Sequence, residues 1–339
     1  MLAPKQPRPF GTTLTGQAKL HVCTIISNPV RYASRYKLMD GFRAQNDGPH
    51  IEHWTVEIAY ANRPFAVTER DNPRHLQLRS TQEIWHKENA LNLLFAHILS
   101  EQPEAEYFAC VDADVTFARP DWACETLQQL QHYDVVQMFS MAQDVGPKYQ
   151  PVSLKMHRGF VWAYYNDPKF FDSPMRFGYS ANGHPGFAWA FRRSALDTLG
   201  GLFDLAITGG GDRHMACGLI GTIDQSGPYK QASLNQLSPS FRQALMVWQQ
   251  RAAALNKNIG YVDGLLVHHW HGRKTDRKYG NRWKIYTTNN YDPMSDLHRD
   301  AQGLYAIAPH RAKLRDDLRS YFRARNEDSI DQENTVPHR

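Results

Sequence analysis

The stretch Tyr107-Phe-Ala-Cys-Val-Asp-Ala-Asp-Val-Thr-Phe117 constrains the fold more than any other. An apolar run ends in Asp112 and Asp114, and apolar residues resume at once. Side chains at i and i+2 of an extended strand share a side. Two carboxylates carried together on a strand tip repel each other unless a cation lies between them. Mg²⁺ or Mn²⁺ suits that place, because hard cations prefer oxygen ligands and often bind a substrate's phosphates as well. A turn that merely holds two acids is the plain alternative, since Asp-x-Asp is a short pattern. The strand ahead of the pair and the blocks downstream favour the metal.

Around this stretch the chain supplies a large α/β protein. Its 339 residues suit one extended α/β domain or two modules, and 42% hydrophobic content is enough for a sizeable core. No apolar run approaches the ~20 residues that span a bilayer. The Pro-rich, polar start, Met1 to Phe10, has no apolar signal core, so a cytoplasmic protein without a membrane anchor is expected. Cys23, Cys110, Cys124 and Cys217 are scattered and form no Cys-x-x-Cys pair; they read as free thiols, not as a zinc cluster or disulfide framework. The net charge of +5 suits an anionic substrate without declaring a nucleic-acid binder.

Residues 1–18 read as a flexible arm. Leu20 to Ile26 is short, apolar and β-branched, hence a buried strand, broken by Ser27-Asn28-Pro29 and followed by a helix from Arg31 to Gln45. In parallel α/β sheets ligands sit beyond the carboxyl ends of strands. Thr24, Ser27, Asn28 and Arg31 are therefore candidates for holding a nucleotide. No Gly-x-Gly-x-x-Gly follows this strand, which disfavours an ordinary dinucleotide fold. Strands are expected at Trp54–Tyr60 and Leu76–Arg79, then a helix over Thr81–Leu99 capped by Ser80 or Thr81. Lys87, near the start of that helix, is placed either to reach a phosphate or on a solvated face. A helix over Trp122–His132 and a strand over Asp134–Ser140 come next.

Two later blocks carry chemistry. In the first, the glycines of 183–186 let backbone approach a ligand closely, and Phe187 to Phe191 reads as a strand. Gly209-Gly-Gly-Asp-Arg213 is a tight loop entering a helix. Asp212 fits an N-cap there, or a catalytic carboxylate; Arg213 lies in the first turn, where open amides favour an anion. In the second block a strand, Leu265 to Trp270, ends in His268-His-Trp-His271, followed by a basic helical segment to about Tyr286. On a continuous strand His269 and His271 share a side and His268 faces away. Imidazole is a common ligand for Mn²⁺-like metals; Zn²⁺ is the other option for two such histidines. The stretch from Leu314 to Phe322 is amphipathic, and the chain turns polar from Asn326.

Taken together, these blocks resemble glycosyltransferases of the GT-A type. The matching pieces are Val111-Asp-Ala-Asp114 for the metal-binding Asp-x-Asp, Gly183 to Arg193 for the acceptor-side strand, Gly209-Gly-Gly-Asp212 for the loop with an acidic residue, and His269-Trp-His-Gly272 for the late metal-ligand histidine. The usual galactosyltransferase-type loop ends in Glu-Asp, whereas this one reads Gly-Asp-Arg. More narrowly, residues 178–290 resemble glycosyltransferase-like proteins predicted in tailed bacteriophages and prophages.

The resemblance implies a GT-A (Rossmann-like) fold of class α/β, with a mixed central sheet flanked by helices. It implies a catalytic domain over 19–290, divided into a nucleotide-sugar half (19–140) and an acceptor half (141–290), then a helical extension with a polar tail (291–339). The expected cofactor is Mn²⁺ or Mg²⁺, held by Asp112, Asp114 and His269 or His271. The donor is a nucleotide-diphosphate sugar, in the first instance a UDP-sugar. Lys87, Asp112, Arg273, Lys274 and Arg277 are expected at its ribose and phosphates, with Arg273–Arg277 a solvated helix face otherwise. Asp212 is the expected general base. Gly186, Trp189, Gly211, Arg213 and Trp270 are expected near the acceptor, with core packing the alternative for both tryptophans. The resemblance points to double-stranded phage DNA with hydroxymethylated bases as acceptor, in the host cytoplasm. The run of cations and aromatics from Arg273 to Lys284 suits phosphate tracking. A bacterial surface glycan or lipid-linked sugar is the alternative acceptor. A metal-dependent nucleotidyl transferase and a non-catalytic sugar-binding protein are the competing classes.

Overall fold

The computed structural model describes residues 18–45, 47–172, 182–227 and 233–330. The expected N-terminal arm, the start of the 178–221 block and the far end of the polar tail lie outside the described residues. The chain folds as a mixed α/β protein. Its strands are β1 (Leu20–Ser27), β2 (Ile51–Tyr60), β3 (His75–Ser80), β4 (Tyr107–Val111), β5 (Val115–Phe117), β6 (Val135–Gln137), β7 (Met141–Asp144), β8 (His157–Arg158), β9 (Ala188–Arg192), β10 (Ile259–Tyr261) and β11 (Leu265–His268), with a hairpin of β12 (Leu297–Arg299) and β13 (Tyr305–Ile307). The helices are α1 (Ala33–Gln45), α2 (Lys87–Glu101), α3 (Trp122–His132), α4 (Phe160–Asn166), α5 (Arg193–Leu199), α6 (Gly211–Leu219), α7 (Pro239–Ala253), α8 (Tyr279–Asn289), α9 (Pro293–Asp296) and α10 (Ala312–Arg323). None is long and apolar enough to cross a membrane among the described residues.

Seven strands form the main sheet in the order β10-β6-β9-β4-β1-β2-β3. β1 runs parallel to β2 and β4, whereas β9 is antiparallel to both β4 and β6. This is the expected mixed sheet flanked by helices. β1 and β4 lie inside it and are covered on both faces, which explains their near-continuous apolar sequence. A second sheet, β5-β11-β7-β8, stands against the carboxyl end of β4. Pairing of β5 with β11 brings His268 opposite Val115, one residue beyond Asp114. The two distant sequence blocks therefore meet by strand pairing, not by loop placement alone.

Some expected boundaries differ. Helix α2 begins at Lys87, not Thr81, and no side chain caps it. Residues 81–86 are held by tertiary bonds instead: Trp85 N donates to Ile207 O at 2.9 Å, and the Gln82 amide brackets Ile307 at 2.7 and 3.3 Å. The strand expected over Asp134–Ser140 is only β6, because the chain turns toward β7 after Met138, whose N–H still donates to Ala188 O of β9 at 3.1 Å. The histidine strand stops at His268. Residues 326–329, read from sequence as the opening of a polar tail, are docked onto the domain.

Candidate metal centre and its two clefts

Asp114 leaves the tip of β4, and the chain bends into β5 directly after it. Its Oδ2 lies 2.8 Å from His271 Nε2 and 3.7 Å from His268 Nε2. The two imidazole Nε2 atoms are 3.3 Å apart. Asp114, His268 and His271 thus each offer one ligand atom within 4.8 Å of the others. Asp114 Oδ1 is buried and has no hydrogen-bond partner among the described residues. A carboxylate oxygen and two convergent imidazole nitrogens are a donor set that fits a divalent cation. Behind them, His268 Nδ1 is 2.7 Å from Asp144 Oδ1, which turns Nε2 toward the cluster. Asp144 also receives His157 at 2.6 Å and Lys274 at 2.5 Å.

The charges follow from this packing. Burial opposes ionisation of Asp114, but the imidazoles of His271 and His268 outweigh it and hold the carboxyl well below its usual range. Burial likewise opposes charge on His268, yet Asp114 and Asp144 push it up to about 9. Burial and the Arg277 guanidinium bring His271 down to about 4. At neutral pH without metal, one imidazole of the pair is charged and the other neutral.

Asp112 takes a different role from its neighbour. Its backbone N–H donates to Phe187 O at 2.9 Å, and its carboxylate is ion-paired with Lys87. Phe187 adopts φ of +76°, uncommon for a bulky residue, and its ring stacks on His184 at 3.8 Å between centroids. Lys87 therefore lies at the acidic pair, where its charge can meet a phosphate. His269, by contrast, is turned away from the cluster: Nε2 is 2.7 Å from Thr116 Oγ1 and the ring meets the edge of Tyr149. Strand alternation put His269 with His271, but β11 ends at His268, and the turn beyond it brings His271 back beside His268.

Two clefts open on either side of this centre. The first lies at the carboxyl end of β1 and is lined by Ile25, Pro29, Leu38, Met39 and Phe322, with Ser27, Asn28 and Arg35 as polar groups. Asn28 clasps Tyr32 through both ends of its amide, at 2.8 and 2.9 Å, and the Ser27 hydroxyl bonds Tyr60 Oη at 2.7 Å. The other two nucleotide candidates do not line it. Thr24 is buried inside β1 against Thr55 and the Trp54 carbonyl, because that strand is covered on both faces. Arg31 is exposed, with φ of +66°, ahead of the helix. Arg35, one helical turn on, takes its place.

The second cleft is lined by Glu88, Gly186, Gly210, Asp212, Lys274 and Arg282 among others. Helix α6 starts at Gly211 with Gly210 as N-cap, so Asp212 lies in the first turn and does not cap it. A Cβ on Gly186 would come within 2.6 Å of Asp212 Oδ2, and one on Gly211 within 2.8 Å of Glu88. Both glycines make room for a carboxyl group. Glu88 was not legible as a site residue in the sequence. It is buried on α2, its Oε2 accepts from Trp85 Nε1 at 2.9 Å, and burial raises its carboxyl to about 7.

The remaining candidates divide. Arg277 is buried beside His271 and Tyr279, and Lys274 is paired with Asp144, so both line the second cleft. Arg273 is paired with Asp276 at 3.2 Å and lines neither cleft. Trp189 is buried in β9 with its indole N–H on Pro185 O, a core residue and not an acceptor contact. Arg213 Nε donates to Ser226 O at 3.1 Å, away from the clefts. Trp270 donates to Ser329 O at 2.6 Å and faces a third cavity beside His269. Of the cations in the run from Arg273 to Lys284, Arg277 is buried, Arg273, Lys274 and Arg282 are half-buried, with Arg282 over the Tyr279 ring, and Lys278 and Lys284 are exposed.

No known protein-family description matches the chain, and no curated protein does. Among solved structures the chain is similar to the catalytic domain of Drosophila beta1,4-galactosyltransferase 7 in complex with xylobiose, with a TM-score of 0.29 and 10% identity. That match covers 59% of this chain and 59% of the other, so the chain spans less than two thirds of that domain.

Proposed function

We propose that this chain is a metal-dependent glycosyltransferase that moves a sugar from a nucleotide-diphosphate sugar to an acceptor hydroxyl. The observation that carries the reading is the Asp114–His268–His271 cluster at the tip of a central strand, between an apolar cleft and a carboxylate-lined one. The motif resemblance described above agrees with it. The apolar cleft at the end of β1 suits the nucleoside, with Asn28 and Ser27 at its mouth. Asp114, His268 and His271 would hold Mn²⁺ or Mg²⁺, which supplies charge neutralisation for a leaving diphosphate. Lys87 shares that task from the Asp112 side.

The bond that forms joins the acceptor oxygen to the anomeric carbon; the bond that breaks joins that carbon to the diphosphate, which leaves with the electron pair. Asp212 would take the acceptor proton. Glu88, whose carboxyl burial raises to about 7, would donate a hydrogen bond within the same cleft when protonated. For the acceptor we propose a hydroxymethylated pyrimidine of double-stranded DNA in the cytoplasm, on the resemblance to phage proteins and the positive net charge. Such a base must leave the stack to enter the second cleft.

Incubation with a panel of nucleotide sugars and Mn²⁺ tests the reaction, read as release of nucleoside diphosphate. Release with at least one donor is expected; none with any donor favours a sugar-binding protein. Mass analysis of hydroxymethylcytosine DNA, plain DNA and glycans then tests the acceptor. A sugar-sized gain on the modified DNA alone is the expected result, and a gain on glycans alone overturns that choice.

A further inference from the structure

We infer that the segment Arg325–Ser329 is a working part of the donor site, and that Arg325 binds the diphosphate. The inference rests on the reading of the donor given above. The first observation is position. Six side chains line both clefts and so mark their junction: Trp85, Lys87, Asp112, Asp114, His271 and Arg325. Lys87 and Arg325 are the cations of that set, on residues far apart in sequence. A diphosphate between a nucleoside in one cleft and a sugar in the other must cross this junction.

The second observation is how Arg325 is held. Glu327 is buried and takes the Arg35 guanidinium at 2.5 and 2.8 Å. It also lies 2.6 Å from Arg325 Nε. The Arg325 guanidinium stands over the Trp85 ring at 5.7 Å, and its terminal nitrogens make no hydrogen bond to any described residue. An arginine ion-paired with Glu327, yet with no hydrogen bond to any described residue, keeps a planar fork of donors that matches phosphate oxygens.

The third observation is the anchoring. Asp328 accepts from the first amides of α1, Ala33 N at 2.9 Å and Ser34 N at 2.8 Å. Asn326 N donates to Tyr32 Oη at 3.1 Å, and Trp270 holds Ser329 O. Gly272, at φ of +85°, lies so close to the segment that a Cβ there would come within 2.6 Å of Asn326 O. These contacts tie the segment to α1 at the mouth of the first cleft and to the turn that carries His271. The arrangement is a strap that delivers one side chain to a charged junction.

The test is equilibrium binding by calorimetry with Mn²⁺ present. UDP, GDP, ADP, CDP and inorganic pyrophosphate are titrated into the full chain, and the tightest nucleotide is carried forward with its monophosphate and nucleoside. R325A should weaken the diphosphate about tenfold to a hundredfold, the scale of a hydrogen bond to an ionised group, and leave the nucleoside unchanged. E327Q should weaken it less. R325Q keeps a shorter, uncharged planar group, so it serves if R325A does not fold, with the same expectation. Unchanged diphosphate affinity in a folded Arg325 variant overturns the inference and leaves the proposed function standing. Equal loss of nucleoside and diphosphate also overturns it, since Arg325 would then be only a wall. A parent chain that binds none of the five probes overturns the inference and the donor reading together.

Discussion

The two clefts that meet at Asp114 are built by opposite means. The one beside β1 has walls from regular elements: the end of β1, the face of α1, and Phe322 from α10. Its lining is mostly apolar. The one beside Asp212 is walled by turns and helix starts, is dense in charge, and depends on glycines that leave room for carboxyl groups. The first offers apolar walls of the kind that suit a flat apolar group. The second is shaped to hold protons and negative charge at set places. A reaction that keeps one substrate still and deprotonates another needs both kinds.

The largest expected effect falls on the junction, where both clefts fail together. D114A or H271A should abolish Mn²⁺ binding in a titration and lower turnover by roughly a thousandfold or more, the worth of several kcal/mol of charge stabilisation. A variant that still binds Mn²⁺ as the parent does would separate the clefts from any metal. D212N comes next and should split them. Transfer should fall by about a hundredfold or more, while calorimetric binding of the nucleoside diphosphate stays as in the parent. Loss of both would mean that Asp212 serves the fold and not the second cleft alone.

A smaller effect separates the clefts by pH. The Glu88 carboxyl rises from the ordinary 4.5 to about 7 in the folded protein. The folded state therefore holds this proton more tightly than the unfolded one. Its contribution to stability is present below about 4.5 and is lost as pH rises toward 7. E88Q has no such proton to lose. Its stability advantage over the parent should grow across that window to about 3 kcal/mol and then level off, by denaturant melts at each pH. A pH-independent difference would show that Glu88 is not held in its neutral form. The smallest effect is expected from H269A, which should leave Mn²⁺ affinity within about twofold, because its ring bonds Thr116 instead. A tenfold loss would put His269 back among the ligands.

The first cleft was partly legible in the sequence because its parts are local. A short β-branched run, a Ser-Asn-Pro break and a helix announce a strand end and what lies beyond it. Ser27 and Asn28 were found that way, and Thr24 was not excluded because alternation cannot tell a strand covered on both faces. The stretch that carries Asp112 and Asp114 was legible as a strand tip for the same reason, but not that only Asp114 would meet the histidines while Asp112 pairs with Lys87. The histidine assignment needed the one fact that periodicity does not carry, namely where β11 stops. One residue of strand exchanged His268 for His269. Glu88 was hidden inside a helix whose apparent start lay six residues early, so its face could not be read. Arg325 and Glu327 sit in a polar stretch with no pattern, and their partner Arg35 is 292 residues from Glu327. Nothing short-range marks a contact of that separation.

The place of β9 has a consequence for how the protein is made. β9 is the only described strand that joins β4 to β6, and it runs opposite to both. Until residue 188 leaves the ribosome, β4 presents an open edge of unpaired amides and carbonyls, with Asp112 at its end. Such an edge invites pairing with another copy, and its closure over some eighty residues of intervening chain is slow by the measure of loop entropy. The open side of β4 is therefore the part of the half-made sheet most exposed to wrong pairing during synthesis.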